Sequence, residues 1–543
     1  MRAGSKLSWL LAVESGVILV LPFPVAGPLP HWRAQLAYLG LVPLFIALLA
    51  RRPYFGWSRV ASNTLVAYLC GIVWYAGTCY WIQSTMHLYG NLSPFVASIM
   101  LLLFCLFLAL YFALFGFLLT LAQRATGSIA GALWSAPFLW VTMELGCARI
   151  TSFPWNQLGY SQIDNLLLTR LAPWTGTYGI SFLIVAGNSA IACFFLLRNH
   201  SVRLIAPSLA LLVVVALYMG FSRAIPAQPA AAEAILLQPN LDVGEESGWT
   251  GDSFDRQIGK FARLSESDCK KYFAGLPIAR TPIVRPKCSS EMPVIQLILW
   301  PESPAPLIDN NPQFRRALSA LAQATHAAII VGDTAIQQAS GKDTGDIYNS
   351  AAFITSDGLF AGRYDKIHLV PFGEHVPFPE LLSFAGSLTA EVGQMTPGTR
   401  RVVFAAAGHH YGPFICYEAI FADEVRQFTK LGADVLVNIS DDGWYGDTSA
   451  PWQHLNMARM RAIENDRWLL RDTNNGVTAV VDPYGRVLQT SPRHVQTSLA
   501  AHFGYVKWQT FYTRHGDVFA LLCAIITVVL AFDGAIHNRY RGA

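Results

Sequence analysis

Long apolar segments are the feature of this sequence that most restricts its fold. A helix of roughly 17 to 25 apolar residues crosses the bilayer core. Eight runs of about that length or longer each predict a membrane-spanning helix, at residues 7–25, 34–50, 60–82, 94–122, 129–145, 178–197, 204–221 and 517–532. The chain is 53% hydrophobic and only 14% charged, a composition that excludes an ordinary soluble enzyme. We therefore expect a multi-span membrane protein.

Most charged residues lie between Glu233 and Arg493, after the seventh apolar run and before the eighth. This predicts a membrane domain of seven helices at 1–224, a Pro/Ala-rich linker at 225–231, a folded domain at 232–506, and a last helix with its tail at 507–543. Lys and Arg favour one set of flanks, most clearly at Arg51 and in the loop RNHSVR. The positive-inside rule places those flanks in the cytoplasm and the polar block outside it.

The first run has a second interpretation as a cleaved signal peptide, because MRAGSK suits an n-region and PVAGP contains small residues. Its length and the Glu14 within it favour a retained span. Removing it would also leave an odd number of spans and invert the charge bias.

Short β-rich runs alternate with helical patterns in the polar block. The β-rich runs are AEAILLQPN, VIQLILWPE, HAAIIVGDT, SAAFITSDG, YGPFICYE, ADVLVNIS and VTAVVDPYG, and the helical ones include NPQFRRALSALAQAT and EVRQFTKLG. This alternation predicts an α/β domain. Reactive residues in such domains tend to stand where strands end.

Three strand ends carry chemically unusual residues. Glu302 follows LILWP, Lys366 follows the strand in GRYDK, and Cys416 stands between a strand and a helical pattern. A strand, a sharp turn and a helix can expose a nucleophile, although most free cysteines are small buried hydrophobes. A thiol with a pKa near ~8.5 needs a base and a cation beside it. Glu302 can take the proton, and Lys366 can stabilise the thiolate and a later oxyanion together with a backbone N–H near Tyr417.

Together, WPES, GRYDKIHLVPFGEHVPF and GPFICYE resemble the Glu-Lys-Cys motifs of the nitrilase, or carbon-nitrogen hydrolase, superfamily. With the flanking spans, and with FPWNQLGYSQ, YNS and GWYGDTSAPWQHLNMARMRAIE, the whole chain resembles the apolipoprotein N-acyltransferase family of Gram-negative bacteria. The resemblance implies a four-layer αββα sandwich on the periplasmic side of the inner membrane. It departs at Asp441 and Asp442, where the family has an Asn-Asp pair, and at an insertion near 265–291.

The resemblance implies a transferase with Cys416 as nucleophile, Glu302 as base and Lys366 as oxyanion stabiliser. An acyl chain moves from a phospholipid, typically phosphatidylethanolamine, to Cys416, and then to the α-amino group of a diacylglyceryl-cysteine lipoprotein. No metal, dissociable cofactor or nucleic acid is implied. The expected supporting residues are Glu374, Glu418, Tyr417 and Asn349, and the expected substrate-binding residues are Trp249 and Trp444. Alternatively, the two glutamates are solvated acids beside turns and the two tryptophans are core residues.

Two local hypotheses concern the rest of the polar block. The apolar loop at 376–388 reads either as a lid that dips into lipid or as an ordinary packed helix. Cys269 and Cys288 are candidates for a disulfide in an oxidising compartment. The other cysteines outside the site lie in or beside apolar runs, where they are expected to pack.

The sequence leaves three rival functions open. A membrane-anchored amidohydrolase would use the same three residues with water as acceptor. A transporter would show ionisable residues in mid-membrane, for which Glu14 and Glu144 are the nearest candidates. A lipoprotein-binding module without catalysis would leave the three strand-end residues unexplained.

Overall fold

The apolar segments form helices and the polar block forms two β-sheets, as the sequence patterns predict. A computed structural model describes residues 2–25, 27–50, 57–197, 230–243, 252–266, 295–302, 310–337, 345–375 and 395–540. The predicted span at 204–221, the loop at 376–388, Trp249, Cys269 and Cys288 lie outside these residues.

The regular secondary structure described in the N-terminal part is helical, and loops such as 150–157 connect the helices. Its helices are α1 (Arg2–Val20), α2 (Val42–Leu49), α3 (Trp57–Thr78), α4 (Trp81–Leu88), α5 (Pro94–Leu108), α6 (Leu110–Thr126), α7 (Ile129–Arg149), α8 (Ala172–Thr175) and α9 (Thr177–Leu196), with a 3₁₀ helix at His31–Tyr38. Side-chain oxygens of Ser93 and Ser128 cap α5 and α7, and the left-handed Gly127 ends α6. Helices α3 and α6 approach closely at Gly116, where a Cβ would lie 2.6 Å from Ala67 Cβ.

Five described helical stretches are long and apolar enough to cross a membrane: His31–Leu49, Trp57–Thr78, Pro94–Thr126, Thr177–Leu196 and Val518–Ile536. They coincide with five of the eight predicted spans. The runs at 7–25 and 129–145 are also helical, in α1 and α7, but do not meet the same criterion. Large apolar side chains such as Phe95 and Val528 are exposed on these helices, as a lipid-facing surface requires.

Some predicted span boundaries are wrong in detail. The run at 60–82 breaks between Thr78 and Trp81, so its end belongs to the separate helix α4. The run at 94–122 is divided at Ala109 into α5 and α6. Continuous hydrophobicity does not mark such breaks, because the side chains on both sides of each break are equally apolar.

The polar block forms two six-stranded sheets. The strands are β1 (Ala232–Gln238), β2 (Ile295–Trp300), β3 (Ala328–Gln337), β4 (Asp346–Ile354), β5 (Phe360–Asp365), β6 (Phe404–Ala406), β7 (His409–Ile415), β8 (Val435–Ser440), β9 (Trp468–Thr473), β10 (Ala479–Val481), β11 (Val487–Thr490) and β12 (Thr497–Phe503). The orders are β12-β1-β2-β3-β4-β5 and β11-β10-β9-β8-β7-β6. Each sheet has three central parallel strands with antiparallel strands outside them. All seven predicted β-rich runs contain strands.

Side chains that alternate along the central strands build a four-layer sandwich. Leu236 and Leu297 pack between the sheets with Val437 and Leu470 of the second sheet. Their neighbours, such as Ile235, face α10 (Asp252–Glu266) and α11 (Pro312–Thr325). The second sheet is covered by α12 (Ala422–Lys430) and α13 (Ala450–Asn465). The layer order is therefore helix, sheet, sheet, helix.

The second helical layer also packs on the membrane helices. Met457, Met460 and Ile463 of α13 share one apolar cluster with residues of α1 to α9. Polar contacts cross the same boundary: Arg149 pairs with Asp423 at 2.8 Å, and Gln453 Nε2 donates to the Pro24 carbonyl at 3.0 Å. Helix α13 is therefore buried from both sides. The chain ends with α14 (Phe511–His515) and α15 (Val518–Tyr540).

Candidate active site

The structure brings the three predicted strand-end residues to one place. Glu302 lies two residues after β2, Lys366 directly follows β5, and Cys416 directly follows β7. The first two belong to one sheet and the third to the other, so the site lies where the two sheets' strand ends meet. All three are buried, with 7%, 1% and 6% of their surfaces exposed. Buried charges of this kind require close partners.

One ammonium group neutralises two carboxylates in the site. Lys366 Nζ lies 3.0 Å from Glu302 Oε1 and 2.8 Å from Glu374 Oε1. Asn349 Nδ2 donates to the same two oxygens, at 2.8 and 2.6 Å. The Asp441 backbone N–H donates to Glu302 Oε2 at 2.8 Å. Glu302 is therefore held from three sides, and the predicted supporting residues Glu374 and Asn349 both contact the catalytic candidates directly.

The electrostatics favour a carboxylate, an ammonium and a neutral thiol at rest. Burial alone would raise the pKa of Glu302, but Lys366 and the hydrogen bonds outweigh it and the pKa is lowered. Burial would lower the pKa of Lys366, yet the carboxylates of Glu302 and Glu374 raise it well above its usual value. The pKa of Cys416 is raised well above its usual value, first by burial and then by the Glu302 charge. A base is thus already ionised next to a thiol that still carries its proton.

Cys416 adopts a backbone conformation that is uncommon for a side-chain-bearing residue. Its φ is +47°, at the start of a 3₁₀ turn spanning Cys416–Ile420. A non-glycine residue in this region carries strain of about 1–2 kcal/mol. The sharp turn places the thiol at the end of β7, in the arrangement of a nucleophile between a strand and a helix. The first N–H groups of such a turn have no intrahelical acceptor and can bind an oxyanion.

Glu418 connects the cysteine strand to the lysine strand through the backbone. Its Oε2 accepts from the Ile415 N–H at 2.8 Å. Its Oε1 accepts from the Tyr364 hydroxyl and from the Ile367 N–H, each at 2.7 Å. The carboxylate therefore holds Tyr364, two residues before Lys366, the residue after Lys366 and the residue before Cys416.

The two described aromatic candidates lie at the boundary with the membrane helices. The Tyr417 hydroxyl donates to the Ser152 carbonyl at 3.3 Å, and its ring packs edge-on against Phe421. The Trp444 ring lies 5.5 Å from that of Tyr89, and its carbonyl accepts from Thr85 Oγ1. Both connect the site to the helical part.

A mainly apolar cavity lies among the membrane helices, with residues of α3, α6 and α7 in its walls. It is partly open to the surface, and its walls include the rings of Trp74, Phe112, Trp140, Phe153 and Trp155. The Trp155 ring also stacks on His454 at 5.9 Å. Trp155 therefore lines the cavity and also contacts a residue that meets the backbone of Cys416.

A second buried polar cluster was missed by the sequence reasoning. His454 Nε2 lies 2.9 Å from the Cys416 carbonyl oxygen, and its Nδ1 lies 3.0 Å from Asp442 Oδ1. Arg471 Nη2 donates to both oxygens of Asp442, at 3.0 and 2.7 Å. All three side chains are fully buried. They are separated by 12 to 29 residues along the chain, and no local sequence pattern signals that they meet.

Asp441 has an environment that disfavours its charge. Its side chain accepts from the Gly443 N–H at 2.9 Å and from Asn474 Nδ2 at 3.2 Å. Burial, followed by the nearby charge of Glu302, raises the pKa of Asp441 to about 7. The neighbouring Asp442 behaves oppositely: burial opposes its charge, but Arg471 and His454 lower its pKa. The two acids at the position where the family has Asn-Asp are therefore not equivalent.

Asp441→Asn is expected to stabilise the protein more at pH 8 than at pH 5. An unfolded Asp has a pKa near ~3.9, so the folded protein binds more protons than the unfolded chain between about pH 4 and 7. The stability of the wild-type protein therefore falls as the pH rises through this range, and the full cost of ionising Asp441 is present above it. Melting temperatures of both proteins at the two pH values measure this. Asp442→Asn is the matched control and should lose stability at both values. Equal shifts for Asp441→Asn at pH 5 and pH 8 would contradict the expectation.

Comparisons with known proteins place the chain among membrane acyltransferases. The family described as apolipoprotein N-acyltransferase N-terminal domain matches residues 15–190, and the carbon-nitrogen hydrolase family matches residues 287–502. The apolipoprotein N-acyltransferase of Geobacter metallireducens is 33% identical over 98% of this chain and 97% of its own. The enzymes of the same name from Pasteurella multocida and Pseudomonas putida are 28% and 30% identical, over 98% and 92% of this chain and 96% of each of theirs.

Solved structures of the carbon-nitrogen hydrolase superfamily match about half of this chain. The crystal structure of Saccharomyces cerevisiae Nit3 matches with 17% identity and a TM-score of 0.37, over 54% of this chain and 97% of that one. A likeness at this score supports no conclusion about the site. The assignment of the carbon-nitrogen hydrolase fold rests on the strand order and on the match to the family.

Proposed function

This chain belongs to the apolipoprotein N-acyltransferase family, and we propose that it acts through a thioester on Cys416, with Glu302 as base and Lys366 as oxyanion stabiliser. The chain is an enzyme that N-acylates lipoproteins. Phosphatidylethanolamine is the proposed donor, and the α-amino group of an S-diacylglyceryl-cysteine is the proposed acceptor. The observation that carries this mechanism is the buried contact of Lys366 with Glu302 beside the strained turn at Cys416.

In the first half-reaction Glu302 takes the thiol proton of Cys416 as the sulfur attacks the ester carbonyl of the phospholipid. The negative charge that forms on the carbonyl oxygen is stabilised by Lys366 and by the Tyr417 N–H. The C–O bond then breaks, and the lysophospholipid alcohol leaves with the proton held by Glu302. A pre-ionised base and a neutral thiol suit this order, because the proton moves only when a carbonyl is present to be attacked.

In the second half-reaction the α-amino group attacks the thioester carbonyl. Glu302 takes a proton from the amine, the same two donors hold the oxyanion, and the C–S bond breaks. Glu302 then gives this proton to the thiolate of Cys416, and the amide product leaves. Both half-reactions use one base and one oxyanion site, which predicts ping-pong kinetics.

The proposed location of the enzyme follows from its lipid substrates. The proposed membrane domain has eight spans and comprises residues 1–224 and 507–543. The catalytic domain is 232–506 and follows a linker at 225–231. This layout would place the catalytic domain in the periplasm and the site at the outer surface of the bacterial inner membrane. Support comes from the five apolar helices and from the packing of α13 on them. The aromatic cavity beside His454 is the proposed site for the acyl chain, since its walls are mainly apolar.

The amidohydrolase alternative is not favoured. The full-length relatives are named as acyltransferases, and the triad is buried against the helical layer that contacts the membrane part. Such burial limits access of water to a thioester. The expected product without an acceptor is therefore a stable acyl-enzyme rather than free fatty acid.

Mass spectrometry of the detergent-purified enzyme after incubation with phosphatidylethanolamine tests the mechanism. We expect a mass gain of one acyl group on the peptide that contains Cys416, and its loss when a diacylglyceryl-cysteine peptide is added. A diether phosphatidylethanolamine, which has no ester carbonyl, is the matched control and should leave no adduct. Free fatty acid release without a persistent adduct would favour hydrolysis, and an adduct on another residue would refute the assignment of Cys416.

A further inference from the structure

The carbonyl of the nucleophile's own peptide unit is held by a buried histidine. His454 is fully buried on α13, and its Nε2 lies 2.9 Å from the Cys416 carbonyl oxygen. A carbonyl oxygen can only accept, so Nε2 carries the hydrogen and donates it. His454 therefore contacts the backbone of Cys416, which differs from the ion pair of a Cys-His nucleophile.

Because the peptide group is planar, the hydrogen bond to the Cys416 carbonyl also affects the orientation of the next residue's N–H. The Cys416 carbonyl and the Tyr417 N–H belong to one trans peptide unit, in which the two groups point in opposite directions. Fixing the carbonyl on His454 therefore fixes the direction of the Tyr417 N–H. With Cys416 at φ +47°, the turn has an uncommon conformation that its surroundings must hold in place.

The ring of His454 is itself fixed from several directions. With the hydrogen on Nε2, Nδ1 accepts a hydrogen bond from Arg471 Nη2 at 3.1 Å, and Arg471 Nη2 also donates to Asp442 Oδ1 at 3.0 Å. Ser440 Oγ donates to the same Asp442 oxygen at 2.9 Å. Trp155 stacks on one side of the ring, and Tyr445 meets it edge-on, each at 5.9 Å. The nitrogen that meets Cys416 therefore has little freedom to move.

We propose that His454 is a positioning residue, which holds the Cys416 carbonyl so that the Tyr417 N–H points at the oxyanion of each tetrahedral intermediate. This inference rests on the proposed thioester mechanism. It assigns His454 a role in both half-reactions without contact with the substrate. Asp442 and Arg471 act one step further away, by fixing the ring.

Two reactions of the same thiol separate this role from a structural one. Alkylation of Cys416 by iodoacetamide forms no oxyanion, whereas acylation by phosphatidylethanolamine does. In His454→Met, which keeps the side-chain bulk but has no donor, we expect alkylation within about twofold of wild type and acylation slower by about 10- to 100-fold, somewhat less than the loss of a whole oxyanion-hole donor. His454→Gln, whose amide reaches the position of Nε2, should restore most of the acylation rate.

Control variants distinguish a loss of the His454 hydrogen bond from misfolding and from a failure of the proposed thioester mechanism. Met457→Ala removes buried volume from the same helix, in the cluster shared with the membrane helices, and should leave the ratio of the two rates unchanged. His454→Asn, too short to reach Cys416 but still able to bond Asp442, replaces the Met variant if that variant does not fold. Three results would overturn the role of His454. The first is an equal acylation rate in His454→Met and His454→Gln. The others are equal falls of the alkylation and acylation rates in His454→Met, or no fall of its acylation rate. Absence of an adduct in wild type would instead refute the thioester mechanism.

Discussion

Cys416→Ser is expected to stop acyl transfer while leaving the fold intact. A serine hydroxyl is much less acidic than a thiol, so Glu302 cannot ionise it at neutral pH, and an oxygen ester would also be a poorer acyl donor to an amine than a thioester. We expect the transfer rate to fall by at least about 10⁴-fold, in line with the removal of the nucleophile from other covalent enzymes. The change is nearly isosteric in a pocket that already contains the polar Lys366 and Ser440.

Acylation of a fluorescent diacylglyceryl-cysteine peptide, followed with both proteins in the same detergent and phospholipid, measures the effect. Cys193→Ser is the matched control, because Cys193 is also a buried free cysteine but belongs to α9 and does not line the proposed acyl-chain cavity. It should keep more than half of the wild-type rate. Substantial transfer by Cys416→Ser would show that the acyl group does not pass through this sulfur.

The strand-end residues could be located from the sequence because local patterns mark them. Glu302 follows a proline that ends β2, Lys366 follows a strand in a polar segment, and Cys416 stands between a β-rich run and a helical pattern. The alternation of strands and helices predicts the α/β domain, whereas the pairing of two sheets is implied by the family resemblance. The eight-span topology stays a prediction, because the structure describes neither 204–221 nor a membrane.

The contacts that shape the site could not be found in this way. Glu418 is an expected supporting residue, but the sequence does not show that its partners are the backbone N–H groups of Ile367 and Ile415. His454 has no charged or glycine-rich neighbours in sequence, and α13 is buried on all sides, so it lacks the amphipathic period that would show which side chains face the site. Such residues are revealed only by tertiary packing, which joins segments tens of residues apart.

Lys366→Met is expected to damage stability and catalysis together. Without the ammonium, Glu302 and Glu374 share only the donors of Asn349 and backbone groups. Removing one partner of a buried ion pair typically destabilises by about 3–5 kcal/mol. Burial, no longer outweighed by Lys366, would raise the pKa of Glu302, so the base would hold a proton at neutral pH. We expect acyl-enzyme formation to fall by at least about 10³-fold.

The double variant Lys366→Met/Glu374→Gln separates the two losses. It removes one of the two carboxylates that would otherwise repel each other, so its melting temperature should recover a large part of the difference from wild type. Its acylation rate should stay as low as in the single variant, because neither the oxyanion cation nor the field that keeps Glu302 ionised has returned. Glu374→Gln alone should keep a measurable rate, because Lys366 still contacts Glu302 at 3.0 Å. If the double variant regained activity together with stability, Lys366 would be a structural counter-ion, and the oxyanion would depend on backbone donors such as the Tyr417 N–H that His454 orients.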